Sequence, residues 1–250
     1  MGKADIHIHS ACGDGMATTA QLLDYVERET DLSVIAVTDH DDLKGGLQAR
    51  EEWARGRYRF EVIAGEEVTS LQGHLIALFI EEKVPGLKPL QETLEAIHRQ
   101  GGLCIIPHPM NWLTRSVGQG SIEKVRRQRG SGVYFDAMQT GNCSPGSRVA
   151  QKKALRLNEE CYHLPEVGGS DAHFLAAVGS AYTLFEGEGA EDLRRAILTG
   201  TTQAAVGRYP SIAQIGYGTF LRQQWRGIAV TPKAAGWVPT IVSFVRRFKP

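Results

Sequence analysis

Residues 3–10, Lys-Ala-Asp-Ile-His-Ile-His-Ser, alternate polar, metal-capable side chains with aliphatic or small ones. In an extended strand successive side chains point to opposite faces, so Asp5, His7 and His9 line one face while Ile6 and Ile8 pack on the other. The fold around such a strand must bury one face in apolar contacts and gather polar groups on the other. Two imidazoles one pleat apart on a rigid element can grip one metal ion, because neutral imidazole is a common nitrogen ligand for zinc and its neighbours in the transition series. Two core histidines satisfied by backbone carbonyls would have the same pattern, so the rest of the chain has to decide.

Beyond this strand, the chain reads as strands alternating with helices. A loop over 10–17 leads to a helix capped by Thr18 or Thr19, ending near Thr30, with Leu22, Leu23, Tyr25 and Val26 as its apolar stripe. Residues 33–39 are continuous and β-branched, as buried parallel strands are, and they deliver Asp39, His40, Asp41 and Asp42 at their carboxyl end. A helix over 45–56, strands over 60–65 and 74–80, and a helix over 89–100 closed by Gly101-Gly102 follow. Then come a strand over 103–107, a basic helical stretch over 122–129, a strand over 133–138, a helix over 145–160 and a short approach over 165–169. A strand over 181–185 and a helix over 191–198 complete the alternation, which implies parallel sheet with short crossovers.

Most of the metal-capable residues fall at or just past the carboxyl ends of these strands. His40 follows the second, Glu67 the third, His108 the fifth, and Asp171 with His173 the seventh. In α/β barrels that end is where loops from successive strands converge and sites are built. Six of the eight histidines, His7, His9, His40, His74, His108 and His173, sit where one mouth can gather them, which leaves His98 and His163 as surface or packing residues.

The motifs Asp5-Ile-His-Ile-His-Ser10, Gly13-Asp-Gly15, Thr38-Asp-His-Asp41, Gly65-Glu-Glu67, Gly73-His74, Pro107-His-Pro109 and Ser170-Asp-Ala-His173 occur in that order. Together they resemble the motif series of the PHP family, the polymerase and histidinol phosphatase domain of metal-dependent phosphoesterases, over residues 3–208. The resemblance implies a distorted (βα)7 TIM-like barrel over 1–208, with 209–250 as a C-terminal extension. It implies two to three divalent transition ions. His7, His9, Glu67 and Asp171 would hold one, Glu67 would bridge to a second held by His74 and His108, and Asp14, His40 and His173 would hold the third. All of these except His74 are carried over as catalytic residues as well.

Within the resemblance, the Gly-x-Glu pattern selects Glu67 over Glu66, and strand alternation puts the two on opposite faces; a bulge at the strand end would exchange them. The family often has Asp or His in the place of Asp14, so the third site is expected to be the most labile. Taken as residues alone, Asp14 between two glycines would equally make an Asx-turn. Asp5, Asp39 and Asp41 are expected to accept ring N–H bonds and so orient the histidines, and Asp42 to be solvated. The chain departs from the family pattern at Ala64, where proline is common, and over 139–142, Gln-Thr-Gly-Asn, where the family often has Glu before Asn-Gly. The second departure bears on the substrate pocket.

A set of imidazoles and carboxylates without thiolate suits Zn, Mn or Fe and does not choose among them. Such ions can hold a hydroxide in line with phosphorus, so the expected reaction is hydrolysis of a phosphate ester: a phosphomonoester, a nucleotide or a short oligonucleotide. Arg115 and Arg148 are candidates to grip the phosphate through a bidentate guanidinium fork. An amidohydrolase acting on an amide or lactone is a second class, although those sites commonly use a carbamylated lysine, and no lysine stands at a strand end. A non-catalytic PHP binding module is a third, and it would be expected to have lost ligands.

Charge limits the partners. The formal net charge is +0 and the pI about 7.1, which gives no basic footprint for duplex nucleic acid, so an anionic substrate must be attracted locally. Cys12, Cys104, Cys143 and Cys161 form no Cys-x-x-Cys pair and read as reduced thiols of a cytoplasmic protein; no signal peptide and no membrane span are expected. Residues 211–250 hold six Lys or Arg and no Asp or Glu, and end in the apolar and basic stretch 237–248. This tail either packs on its own barrel or lies on an anionic membrane surface or a partner.

Overall fold

The computed structural model describes residues 1–111, 114–128, 132–143 and 148–234. Its first strand, β1 (Gly2–Ile8), lies third from one end of a sheet that curls into a nearly closed barrel. The other strands are β2 (Val34–Val37), β3 (Glu61–Ser70), β4 (Gly73–Leu78), β5 (Leu103–Ile106), β6 (Ala137–Gly141), β7 (Glu166–Gly168), β8 (Ala181–Phe185) and β9 (Gln203–Val206). Among the described residues they run in the order β7-β6-β5-β4-β3-β2-β1-β8-β9. The barrel closes where β7 meets β8: Thr183 Oγ1 accepts from Gly168 N (2.9 Å) and donates to Gly168 O (2.8 Å). A Cβ on Gly168 would stand 2.1 Å from Tyr182 O, so only glycine allows this approach.

The strands are not all parallel. β1, β2 and β3 pair in parallel, as do β5, β6 and β7, but β4 is antiparallel to both of its neighbours, and β8 to β1 and β9. The cause is local. β3 does not stop at Gly65 but runs on to Ser70 and turns back through Leu71-Gln72, where Ser70 Oγ donates to Gly73 O (2.6 Å) and accepts from Gln72 N (3.2 Å). Glu66 and Glu67 therefore lie inside a regular ladder, opposite Ala77 and Ile76.

Helices cover the barrel. α1 (Thr19–Glu29) opens on a capping box between Thr18 and Gln21 and buries Leu22, Leu23 and Val26. α2 (Lys44–Arg55), α3 (Leu90–Arg99), α4 (Gln119–Arg127), α5 (Arg148–Leu157) and α6 (Ala190–Thr199) follow, and α5 continues into a π-helical turn, Asn158–Tyr162. The first residues of the helix expected over 145–160 lie outside the described residues, and its described part runs from Arg148 into the π-helical turn. The strand expected over 133–138 joins the sheet only at Ala137, opposite Ile105. Val133 and Phe135 are buried, but they approach the sheet without pairing, and the strand runs on instead through Gln139 to Gly141, with an irregularity at Thr140.

The expected boundary at 208 falls between β9 and the short helix α7 (Ile212–Ile215). Beyond α7, α8 (Tyr217–Ala234) lies against the barrel mouth. The stretch 237–248 lies outside the described residues, and so do the side chain of Arg148 and residue Arg129 of the expected basic helix. Among the described residues no helix is long and apolar enough to cross a membrane.

Candidate metal centre

Pairing between β2 and β3 continues past the end of β2, with Glu67 N donating to Asp39 O (3.1 Å) and Asp41 N to Glu67 O (2.9 Å). This sets His40 beside Glu67 at the mouth. On the other side of β1, His9 N donates to Ala172 O (2.9 Å), which brings Asp171 and His173 to His7 and His9. His108 and Asp171 take positive φ, 29° and 56°, a conformation costly for side-chain-bearing residues and typical of constrained sites.

The centre of the cluster is the carboxylate of Glu67. Oε2 faces His7 Nε2 (3.1 Å), His40 Nδ1 (3.2 Å) and His9 Nε2 (3.3 Å), while Oε1 faces His74 Nδ1 (2.8 Å) and His108 Nε2 (3.0 Å). Asp171 Oδ1 lies 3.3 Å from His9 Nε2 and 3.5 Å from His7 Nε2. Asp14 Oδ2 lies 3.3 Å from His173 Nε2, and Asp14 Oδ1 lies 3.8 Å from His9 Nδ1. Three groups of ligand atoms lie within 4.8 Å of one another: His7, His9, Glu67 and Asp171; His9, Asp14, His40 and His173; and His40, Glu67 and His74. The first brings together the four residues expected to share one ion. The second is the expected third set with His9 added, and His108 stands beside Glu67 without entering a group.

Burial raises carboxyl pKa values, but the histidines around Glu67 and Asp171 outweigh it, and both are held well below the usual carboxylate range. Burial, with the neighbouring imidazoles of His9 and His74, pushes His40 down to about 3 against the pull of Glu67, so its imidazole is neutral and ready as a ligand. His9 Nδ1 and Nε2, Asp14 Oδ1 and His40 Nδ1 are buried and make no hydrogen bond, although carboxylate oxygens stand close by. Unpartnered polar atoms of this kind, converging from three segments of chain, fit divalent transition ions.

Glu66 points away. Its Oε2 accepts from Val84 N (3.0 Å), and burial pushes its pKa up to about 8. The strand therefore has no bulge that exchanges the two glutamates. Asp5, Asp39 and Asp41 do not orient imidazoles as expected. Asp5 accepts from Ser170 N (2.9 Å) and Gly179 N (2.8 Å), Asp39 from Ser10 N and Oγ (both 2.6 Å), and Asp41 from Thr69 N (2.7 Å) and Oγ1 (2.5 Å). They tie the ligand-bearing loops to one another. The groups on the rings are others, which sequence reading left out: Ser116 Oγ (2.7 Å) and Thr114 Oγ1 (3.1 Å) at His108 Nδ1, and Gln139 Oε1 3.5 Å from His7 Nδ1. Gln139 also accepts from His108 N (2.8 Å) and donates to Gly169 O (2.8 Å). Arg115 is half-buried and its carbonyl accepts from His74 N (2.7 Å), next to Ser116. His98 pairs with Asp136 (2.9 Å) and stacks on Tyr134, as a packing residue does.

A family model described as PHP-associated matches residues 150–202. An uncharacterized protein of Methanocaldococcus jannaschii is 30% identical over 185 residues, which is 73% of this chain and 70% of that one. The phosphoribosyl 1,2-cyclic phosphate 1,2-diphosphodiesterase of Eggerthella lenta is 33% identical over 101 residues, 38% of this chain and 37% of that enzyme. Among solved structures, a two-domain protein from Bacteroides vulgatus containing a predicted PHP-like metal-dependent phosphoesterase superposes with a TM-score of 0.63 at 19% identity, over 82% of this chain and 64% of that longer one. With the motif order, the barrel and these relatives in agreement, the chain belongs to the PHP domain family, a family of metal-dependent hydrolases.

Proposed function

We propose that this chain is a metal-dependent phosphoesterase that hydrolyses a phosphomonoester, a nucleotide or the end of a short oligonucleotide at a site of two to three divalent transition ions. The observation that carries this reading is the two-sided Glu67 carboxylate, with three imidazoles on Oε2 and two on Oε1. The ligand assignment is His7, His9, Glu67 and Asp171 for one ion, Glu67, His74 and His108 for a second, and Asp14, His40 and His173, joined by His9, for a third. The catalytic module is 1–208, and 209–250 is an extension upon it.

When bound, such ions supply a nucleophile at neutral pH, by lowering the pKa of a water to about 7, and positive charge for phosphate oxygens. The protein's part is positional. His7, His9 and Glu67, with side chains at most 1% exposed, form the floor, and His40 (13%), Asp171 (12%) and His173 (17%) form the open rim over which an ester must approach. Gln139, Ser116 and Thr114 fix the rings of His7 and His108 from behind, which keeps the ligand nitrogens facing inward. Arg115 is the candidate for uniform binding of the phosphate. The neutral overall charge leaves this local positive well as the main attraction for an anion, which favours small esters over a duplex backbone. The Eggerthella lenta phosphodiesterase is the relative whose activity supports phosphorus as the reacting centre.

The test is phosphate release from a monoester before and after chelation. Recovery on adding back Zn, Mn or Fe, with competitive inhibition by inorganic phosphate, is expected. Release that ignores chelation would overturn the metal role.

A further inference from the structure

α8 meets the barrel through its polar side. Phe220, Gln223, Arg226 and Gly227 share one face by helical spacing. Phe220 stacks on Phe174 with ring centroids 6.4 Å apart, beside His173. Gln223 is buried. Arg226 Nη2 donates to Ala11 O (2.9 Å) and to Gly13 O (2.6 Å), the backbone carbonyls just before Asp14. A Cβ on Gly227 would stand 3.3 Å from Asp14 Oδ2, tighter than ordinary van der Waals contact. Tyr217, Leu221, Trp225 and Ile228 meanwhile point outward, between 67% and 71% exposed. Hydrophobic burial alone would turn that stripe inward, so the orientation of α8 is set by what its other face holds.

That face holds the loop of Asp14. Within the loop, Ala11 N donates to Ala17 O (2.7 Å), Gly13 N to Ser10 O (3.1 Å) and Met16 N to His173 O (2.9 Å). The carbonyls of Ala11 and Gly13 accept from Arg226 on α8. Asp14 reaches His173 and His9 from a segment whose acceptors are tied down from the C-terminal extension.

We propose that Arg226 is a positioning residue for the ion group of Asp14, His9, His40 and His173. By holding the Ala11 and Gly13 carbonyls it sets the Asp14 carboxylate toward the three imidazoles, and so the extension completes one cation site of the barrel. The inference rests on the metal reading above. Its test uses the full chain, stripped with chelator and titrated with Zn²⁺, following both ion stoichiometry and the rate at which ions pass to a chromogenic chelator. In the wild-type protein the ion at Asp14 is the weakest and leaves first. Arg226→Ala weakens that ion about 10- to 100-fold, the effect of losing a group that orients a ligand, and leaves the tighter ions and the melting temperature unchanged. Arg226→Lys, which keeps the charge and one donor, restores part of the loss. Gly227→Val, at a helix outside the barrel core, presses on Asp14 Oδ2 and weakens the same ion, so the proposal stays testable if Arg226→Ala folds poorly. Unchanged affinity of all ions in both variants, or their parallel loss together with stability, overturns the positioning role. Wild-type protein that takes up no divalent ion overturns the metal reading itself, and this inference with it.

Discussion

Replacing Glu67 and Glu66 in turn tests the centre at its narrowest point. Glu67→Gln keeps the shape but removes the charge between five imidazole nitrogens, all within 3.3 Å. The group of His7, His9 and Asp171 retains one carboxylate after the change, whereas His40 and His74 retain none. Loss of a partner behind a ligand typically costs 10- to 100-fold in metal affinity, so loss of this ligand should exceed about 100-fold, or about 2.7 kcal/mol per ion, with the His74 side the worse affected. Glu66, raised to about 8 by burial, is mostly neutral at pH 7, so Glu66→Gln exchanges one neutral acceptor for another at Val84 N, which is about 1 kcal/mol of stability or less and leaves metal binding untouched. Competition titration with a chromogenic chelator reads affinity, and urea unfolding of the chelated proteins reads stability. Retention of all ions by Glu67→Gln, or their loss in Glu66→Gln, would refute the assignment.

Three further outcomes follow from particular contacts. Ser116→Ala removes the 2.7 Å partner of His108 Nδ1 and should lower affinity at the His108 side about 10-fold, with turnover falling in parallel in metal-limited assays; equal affinities would deny Ser116 that role. Gly168→Val puts side-chain atoms where Tyr182 O already stands and should cost about 1–3 kcal/mol or more in urea melts, while the same change at the exposed Gly120 should cost about 1 kcal/mol or less. In chelated protein, His40 is held near 3 against an ordinary value of 6.5, so the unfolded chain binds the extra proton between those values. Stability from this group is complete above pH 6.5 and is lost as pH falls, by about 2 kcal/mol at pH 5. His40→Gln should flatten that slope in urea melts at pH 7 and pH 5, and an unaltered slope would contradict it.

Most of the clustered residues drew attention in the sequence because they stand at a strand end or one pleat from another, whereas Asp14, on a loop, entered only through the resemblance to the PHP motif series. The Gly-x-Glu pattern of the resemblance singled out Glu67, alternation put Glu66 on the other face, and the ladder with β4 has the two on opposite faces. What alternation could not reveal was direction. The expectation of parallel strands failed at β4, where the Leu71-Gln72 turn is short and nothing in the apolar run 74–80 states which way it runs, and again at β8, antiparallel to β1 and β9. The groups behind the rings were missed for a related reason: Ser116, Thr114 and Gln139 are ordinary polar residues whose role depends on packing across distant segments. The aspartates drew attention as charges, yet they tie loops through backbone N–H and hydroxyl groups. Arg226 lies 212 residues from Asp14, and only the docking of α8 brings them together.

The central claim is hydrolysis at phosphorus by an ion-loaded site, and the most direct measurement is turnover of the fully metal-loaded protein on one panel of phosphomonoesters, phosphodiesters, mononucleotides, short oligonucleotides, amides and lactones. The account predicts ion-dependent cleavage confined to the phosphoesters, fastest on small ones, and most of it lost in His7→Ala, His108→Ala and Asp171→Ala, whereas Arg115→Ala chiefly raises KM. Cleavage of amides or lactones with no phosphoester turned over would transfer the chain to the amidohydrolase class, and inactivity of the loaded protein on the whole panel would favour a binding module.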